Sequence, residues 1–192
     1  MYNSFFKKKG KVYIISGALK GRKLSFQNDS KIRPTTNRIR ETLFNWLSKY
    51  IENASCLDCF AGSGALALEA ISRNAKFVTL LEIEKNNIIY LKQNVKKLNI
   101  YNIEIIHTNT LNWLKKPKKT YDIIFIDPPY NAKLIEKTIV LLEKKKWIKN
   151  QSMIYIETKK NEFVTISNHF TLYKKKITRH IACYLYIFNT KI

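Results

Sequence analysis

Asp127-Pro128-Pro129-Tyr130 concentrates more chemistry than any other tetrapeptide in this 192-residue chain. It follows the apolar run YDIIFI directly. Its two prolines fix φ and carry no N–H, so the backbone there offers only carbonyl acceptors. Asp127 adds a carboxylate and Tyr130 an aromatic face. Acceptors beside a flat ring suit a planar base with an exocyclic amine. Such an amine is a poor nucleophile, because its lone pair is delocalised into the ring. Hydrogen bonds accepted by Asp127 and the Pro128 carbonyl would favour pyramidalisation and aim the lone pair at an electrophile. Tyr130 would stack on a base taken out of its own stack. Asp127, Pro128, Pro129 and Tyr130 are therefore the catalytic candidates.

A second constellation lies upstream. Asp58-Cys59-Phe60-Ala61-Gly62-Ser63-Gly64 reads as the end of a strand and the opening of a helix. Glycines there permit a tight turn with backbone close to a ligand. The third glycine of a dinucleotide fingerprint would fall at Ala67, and no Gly-Lys-Ser/Thr follows, which excludes a Walker loop. Glu82 stands twenty residues beyond Gly62. An acid at that distance can accept from both ribose hydroxyls of an adenosine-containing cofactor. Glu84 is the less favoured alternative.

These groups need a scaffold that brings strand ends together, and the pattern supplies one. Strands are expected at 11–16, 55–60, 76–82, 101–107, 121–127 and 152–158. Helices are expected at 37–51, 65–74, 84–98, 109–115 and 132–146, with an extended basic loop over 17–36. Runs such as KFVTLLE and YDIIFID fit strands buried on both faces of a parallel sheet. The alternation predicts a doubly wound α/β fold. FTLYKKKI and IACYLYIF read as an antiparallel hairpin closing the sheet. Two parts are expected: a basic strand, loop and helix over 1–52, and the catalytic domain over 53–192. Cys56, Cys59 and Cys183 make no disulfide framework. Alternation would send Cys56 and Cys59 to opposite faces, so buried thiols are expected and a metal site is not.

Charge points to a polyanion. Lys and Arg number 35 against 14 Asp and Glu, for a net charge of +21. Such a field draws in nucleic acid. Lys, Asn and Ile make up 73 of the 192 residues, however, a skew of the kind A/T-rich codons produce without functional demand. Arginine, which forks phosphate, discriminates better: four of the six lie between residues 22 and 40. No apolar stretch reaches the roughly 18 residues of a membrane span. No signal peptide is evident, so a cytoplasmic protein is expected.

Several segments together resemble the bacterial RsmD family, the 16S ribosomal RNA guanine-N2 methyltransferases. They are IISGALKGRKL (14–24), RPTTNRIRETLFNWL (33–47), CLDCFAGSGALALEAISR (56–73) and DIIFIDPPY (122–130). RPTTNRIRETLFNWL discriminates most, since generic amine methyltransferases share DPPY but not this stretch. The resemblance implies a Rossmann-like class I methyltransferase with a mostly parallel seven-stranded sheet and S-adenosyl-L-methionine as cofactor. Asp58, Gly62 and Gly64 would hold the methionine end, with Phe60 and Ala61 in the same turn. Glu82 would hold the ribose, and Asn109 and Thr110 the adenine edge. Asp127, Pro128 and Tyr130 would hold the guanine. Arg22, Arg33, Thr35, Thr36, Arg38 and Arg40 would approach the RNA or the cofactor mouth. The implied substrate is an assembled small ribosomal subunit, met by a monomer. Departures from the family pattern are Ala67 and Asn74, where glycine is frequent; Asn74 can still take a left-handed helix end.

Three other readings remain open on the residues alone. DPPY permits a DNA adenine-N6 or cytosine-N4 methyltransferase, although no extra domain for DNA recognition is apparent. A non-catalytic RNA-binding assembly factor could keep the same fold. A nicotinamide dehydrogenase explains neither DPPY nor the basic start.

Overall fold

A computed structural model describes residues 9–27, 35–116, 119–129 and 132–190. The chain opens with two short antiparallel strands, β1 (Lys9–Tyr13) and β2 (Lys23–Gln27), in register Val12 to Leu24. Helix α1 (Asn37–Trp46) follows. Alternating units come next: β3 (Ser55–Asp58), α2 (Ala65–Ser72), β4 (Phe77–Glu82), α3 (Lys85–Lys97) and β5 (Ile103–His107). The chain continues through α4 (Thr110–Leu114), β6 (Tyr121–Ile126), α5 (Ala132–Lys144) and β7 (Ile148–Lys159). It ends in the hairpin β8 (Phe170–Ile177) and β9 (Ile181–Phe188).

Seven strands form one sheet in the order β5-β4-β3-β6-β7-β9-β8. β3 to β7 pair in parallel, while β9 runs antiparallel to both β7 and β8. This is the expected doubly wound sheet with its closing hairpin. The order reverses between β4-β3 and β6-β7, and the strand ends at such a reversal leave a crevice for ligands. One expectation changes: β2 lies within the stretch read as an extended loop. KLSFQ is too short to announce itself, and its strand state comes from pairing with β1 and packing on α3. The Asn94 side chain there accepts from the Ser25 N–H at 3.1 Å and donates to the Ser25 carbonyl at 2.8 Å.

Alternation along each strand sorts the core into two layers. Cys56, Val78, Leu80, Ile123, Phe125 and Tyr155 face α1 and α2, where Leu43, Phe44, Leu47, Leu66 and Ala70 meet them. Leu57, Cys59, Leu81, Ile124, Ile126 and Ile156 face the other way, against Ile135, Ile139 and Leu142 of α5. Cys56 and Cys59 are thus on opposite faces, and all three cysteines are buried and free. Burying side chains such as Leu43, Phe44 and Leu47 is worth about 1.5–3 kcal/mol each. Such burial fixes α1, and the segment entering it, against the sheet. Asn74 takes the left-handed conformation at the end of α2, at φ 65°.

Candidate active site

A cavity of about 310 Å³ opens at the carboxyl ends of β3, β4, β6 and β7. Asp58, Phe60, Ala61, Gly62, Glu82, Asn109, Thr110, Asp127, Pro128 and Pro129 all line it. The two constellations read from the sequence, about seventy residues apart in the chain, thus share one space. Tyr130 and Arg33 lie outside the described residues.

The first wall is built from backbone amides closing on carboxylates. β4 ends at Glu82, and the turn after β3 passes beside it. One Glu82 oxygen accepts from the Gly62 N–H at 2.7 Å, the other from Ile83 and Glu84 at 2.8 and 2.7 Å. Gly62 reaches this position at φ +50°, a conformation that glycine adopts without strain. Asp58 is buried below, accepting from the Phe60 N–H at 3.3 Å. Burial pushes its carboxyl up to about 7, and the Phe60 amide draws it partly back. Asn109 caps α4, its side-chain oxygen accepting from the Asn112 N–H at 3.1 Å. That leaves the Asn109 amide as the group free to donate to a ligand. Thr110 is buried and donates to the Cys59 carbonyl.

Gly64 does not line the cavity among the described residues. It is the N-cap of α2 at φ +75°, and a Cβ there would stand 2.5 Å from Leu91. Its left-handed φ accounts for a glycine at this turn.

The second wall has a different character. Asp127 follows β6, and the two prolines after it supply no N–H. Its Oδ2 accepts instead from the Thr35 hydroxyl at 2.9 Å. Desolvation holds the Asp127 carboxyl well above the usual carboxylate range, and Glu157 pushes it further the same way. Glu157 lies at the end of β7, lines the cavity and is 8% exposed. It accepts from the Tyr155 hydroxyl at 2.8 Å. Burial raises its carboxyl too. Sequence reading missed Glu157; the available signal was an acid closing the apolar run MIYIE, as Glu82 closes FVTLLE.

The basic segment divides on inspection. Thr35 is buried in the cavity wall. Arg22, Thr36 and Arg38 are exposed outside it. Arg40 corrects the sequence reading: it is fully buried and cannot approach RNA. Its guanidinium donates to the Tyr13 carbonyl at 2.8 Å and to Asn37 Oδ1 at 2.7 Å, and pairs with Glu69 at 3.5 Å. Glu69 also accepts from the Ile15 and Ser16 amides and from Arg73. A cation in the first turn of a helix opposes the helix dipole, and for Arg40 the compensating anion is internal. A sequence cannot tell such an arginine from its exposed neighbour Arg38.

Residues 12–187 match the family model described as Conserved hypothetical protein 95. The chain is 66% identical over 191 residues to the ribosomal RNA small subunit methyltransferase D of Buchnera aphidicola subsp. Acyrthosiphon pisum, covering 99% of this chain and 100% of that protein. Among solved structures, a putative methyltransferase, yhhF, from Escherichia coli superposes with a TM-score of 0.88 at 39% identity. That match covers 95% of this chain and 100% of the other. At 15% identity, SMU.776, a putative methyltransferase complexed with SAH, shares the fold, with a TM-score of 0.69 over 97% of this chain and 58% of its own.

Proposed function

This chain belongs to the Conserved hypothetical protein 95 family, the RsmD family, and from that premise we propose that it methylates the exocyclic N2 of a guanine in 16S ribosomal RNA. The methyl donor is S-adenosyl-L-methionine and the substrate the assembled small ribosomal subunit. The observation that supports the reading is the cavity itself: one wall carries the Glu82 carboxylate held by three backbone amides, and the other an Asp-Pro-Pro corner whose prolines can donate no hydrogen bond.

The described residues fit the donor. Glu82 keeps lone-pair capacity after its three backbone bonds, since a carboxylate has about four acceptor sites. Asp58 suits the cationic end of methionine, and the Asn109 amide can donate to the adenine ring. When bound, the donor supplies a sulfonium methyl, already a strong electrophile. The chain then has mainly to position: holding amine and methyl in line at about 3–3.5 Å can contribute on the order of 7–11 kcal/mol. Asp127 and the Pro128 carbonyl accept from the amine, and the methylated nitrogen sheds its proton to Asp127 or water. In this reading the exposed Arg22 and Arg38 supply phosphate contacts.

Incubation with labelled donor and undermethylated small subunits should place label in 16S RNA, recovered as N2-methylguanine. Label in duplex DNA instead, as N6-methyladenine or N4-methylcytosine, would replace this reading. Absence of transfer to either would leave a binding role.

A further inference from the structure

The end of β7 and the turn between β8 and β9 meet on the edge of the sheet that bears the cavity. Lys159 of β7 pairs with Ile181 of β9, and the Lys160 N–H donates to the His180 carbonyl at 3.0 Å. The turn is braced from within: the Thr178 N–H donates to the Ile181 carbonyl at 2.8 Å, and Thr178 Oγ1 accepts from the Ile181 N–H at 3.0 Å. Between residues 159 and 180 the chain carries five lysines and one arginine against a single acid, Glu162. In a chain rich in lysine, the arginine is the more telling cation. Of the six arginines, two lie outside residues 22–40: Arg73, which pairs with buried Glu69, and Arg179, exposed at this turn. Among the described residues, neither Lys160 nor Arg179 pairs with a carboxylate. Lys176 Nζ donates to Thr42 Oγ1 at 2.6 Å, which joins the hairpin to α1 one turn from exposed Arg38.

Phe163 stands in the loop that leaves β7 and is 93% exposed. A lone exposed apolar side chain needs no explanation by itself. The bracing of this one does. Glu162 accepts from the Thr158 hydroxyl at 2.7 Å and from the Ala132 N–H at 2.9 Å, three residues beyond Pro129 of the cavity wall. On the other side, Val164 packs on the core beside α5, and the Thr165 N–H donates to Glu136 at 2.8 Å. Both neighbours of Phe163 are tied inward, so the ring is held out in solvent near the proline corner.

We propose that this rim is the bed of the RNA strand: Lys160 and Arg179 take backbone phosphates, and the Phe163 ring stacks on an unpaired base next to the one that enters the cavity. A base drawn out of its stack leaves its neighbours without a partner face. An aromatic ring meets such a base whatever its identity, and arginine forks phosphate. The one acid of the stretch is held by its own donors below the ring. The charge of the rim favours RNA over an apolar protein surface as the partner of Phe163. The inference rests on the proposed RNA methylation.

The test is equilibrium binding to undermethylated small subunits, without methyl donor and across a salt series. Phe163→Ala should weaken binding by about 5- to 100-fold, the range for loss of one base–aromatic stack, and should raise KM with little change in kcat. Phe163→Tyr should bind nearly as wild type. Phe163→Leu keeps apolar bulk without the ring face and should bind as poorly as Phe163→Ala. Lys160→Ala and Arg179→Ala should each flatten the slope of log affinity against log salt by about 0.7–0.9. Donor affinity should be unchanged in all five, since none of these residues lines the cavity. Wild-type binding by Phe163→Ala, or unchanged salt slopes in both cation variants, would overturn the rim. Binding by Phe163→Leu as tight as by Phe163→Tyr would overturn the stacking and assign the ring to an apolar protein contact. A wild-type protein that binds small subunits but methylates none would instead sink the function reading, while the binding series still decides the rim.

Discussion

Glu82 and Asp127 end two strands of the same sheet and face one cavity, yet the backbone treats them oppositely. Three main-chain N–H groups close on Glu82 within 2.7–2.8 Å. Asp127 is followed by two residues that have no N–H, and receives one hydroxyl. A carboxylate that accepts several amides is fixed in place with its charge dispersed; one denied them keeps vacant lone pairs and resists ionisation. The Glu82 wall is thus fixed before any ligand arrives. The Asp127 wall retains acceptors for a ligand that brings its own donors. The same side-chain chemistry serves two purposes because residues with free amides, Ile83 and Glu84, follow one strand beside the Gly62 turn, while two prolines follow the other.

The comparison can be broken most sharply at Asp127. Asp127→Asn keeps the shape and removes the acceptor charge, and turnover should fall by about 10²–10⁴, the range for loss of a positioned proton acceptor. Donor affinity, measured by calorimetry, should stay near wild type. Turnover that survives intact would move the chemistry off this wall.

Glu82→Ala should show the complementary pattern. It removes the proposed ribose acceptor and strands three amides, so donor affinity should fall by about 10- to 100-fold, a loss equivalent to one or two hydrogen bonds to a charged group. Affinity unchanged in that variant would shift the ribose contact to Glu84.

The smallest effect concerns Asp58. Its carboxyl lies at about 7 in the fold against 3.8 for the ordinary group, because burial disfavours the charge. The folded state therefore binds the extra proton between these values. Its contribution to stability is full below pH 3.8 and is lost as pH rises through 7. A cationic methionine end would favour the ionised form. Donor affinity should then rise by up to about tenfold per pH unit below 7 and flatten above it, with a proton released on binding. Calorimetry in two buffers of unlike ionisation heat reads that proton directly. A flat affinity profile would separate Asp58 from the cation.

Much of the scaffold was legible in the pattern. YDIIFI, FVTLLE and SCLD announced buried parallel strands, and the hairpin was evident in FTLYKKKI and IACYLYIF. β2 was not, because KLSFQ owes its strand state to partners elsewhere in the chain. In the site, Gly62, Glu82 and Asp127 were readable from local spacing, since turn chemistry and strand ends leave local signatures. Glu157 and the buried position of Thr35 were not.

The sequence by itself determined the layer alternation, the glycine turn and the proline corner, because each depends on residues within one or two turns of chain. Only the tertiary structure decided that Arg40 pairs with Glu69 inside the protein while Arg38 stays in solvent. It alone seated Thr35 on Asp127 across 92 residues of chain. Burial and the match of donor to acceptor are properties of neighbours in space, and a linear order of residues does not specify which charges the packed core will enclose.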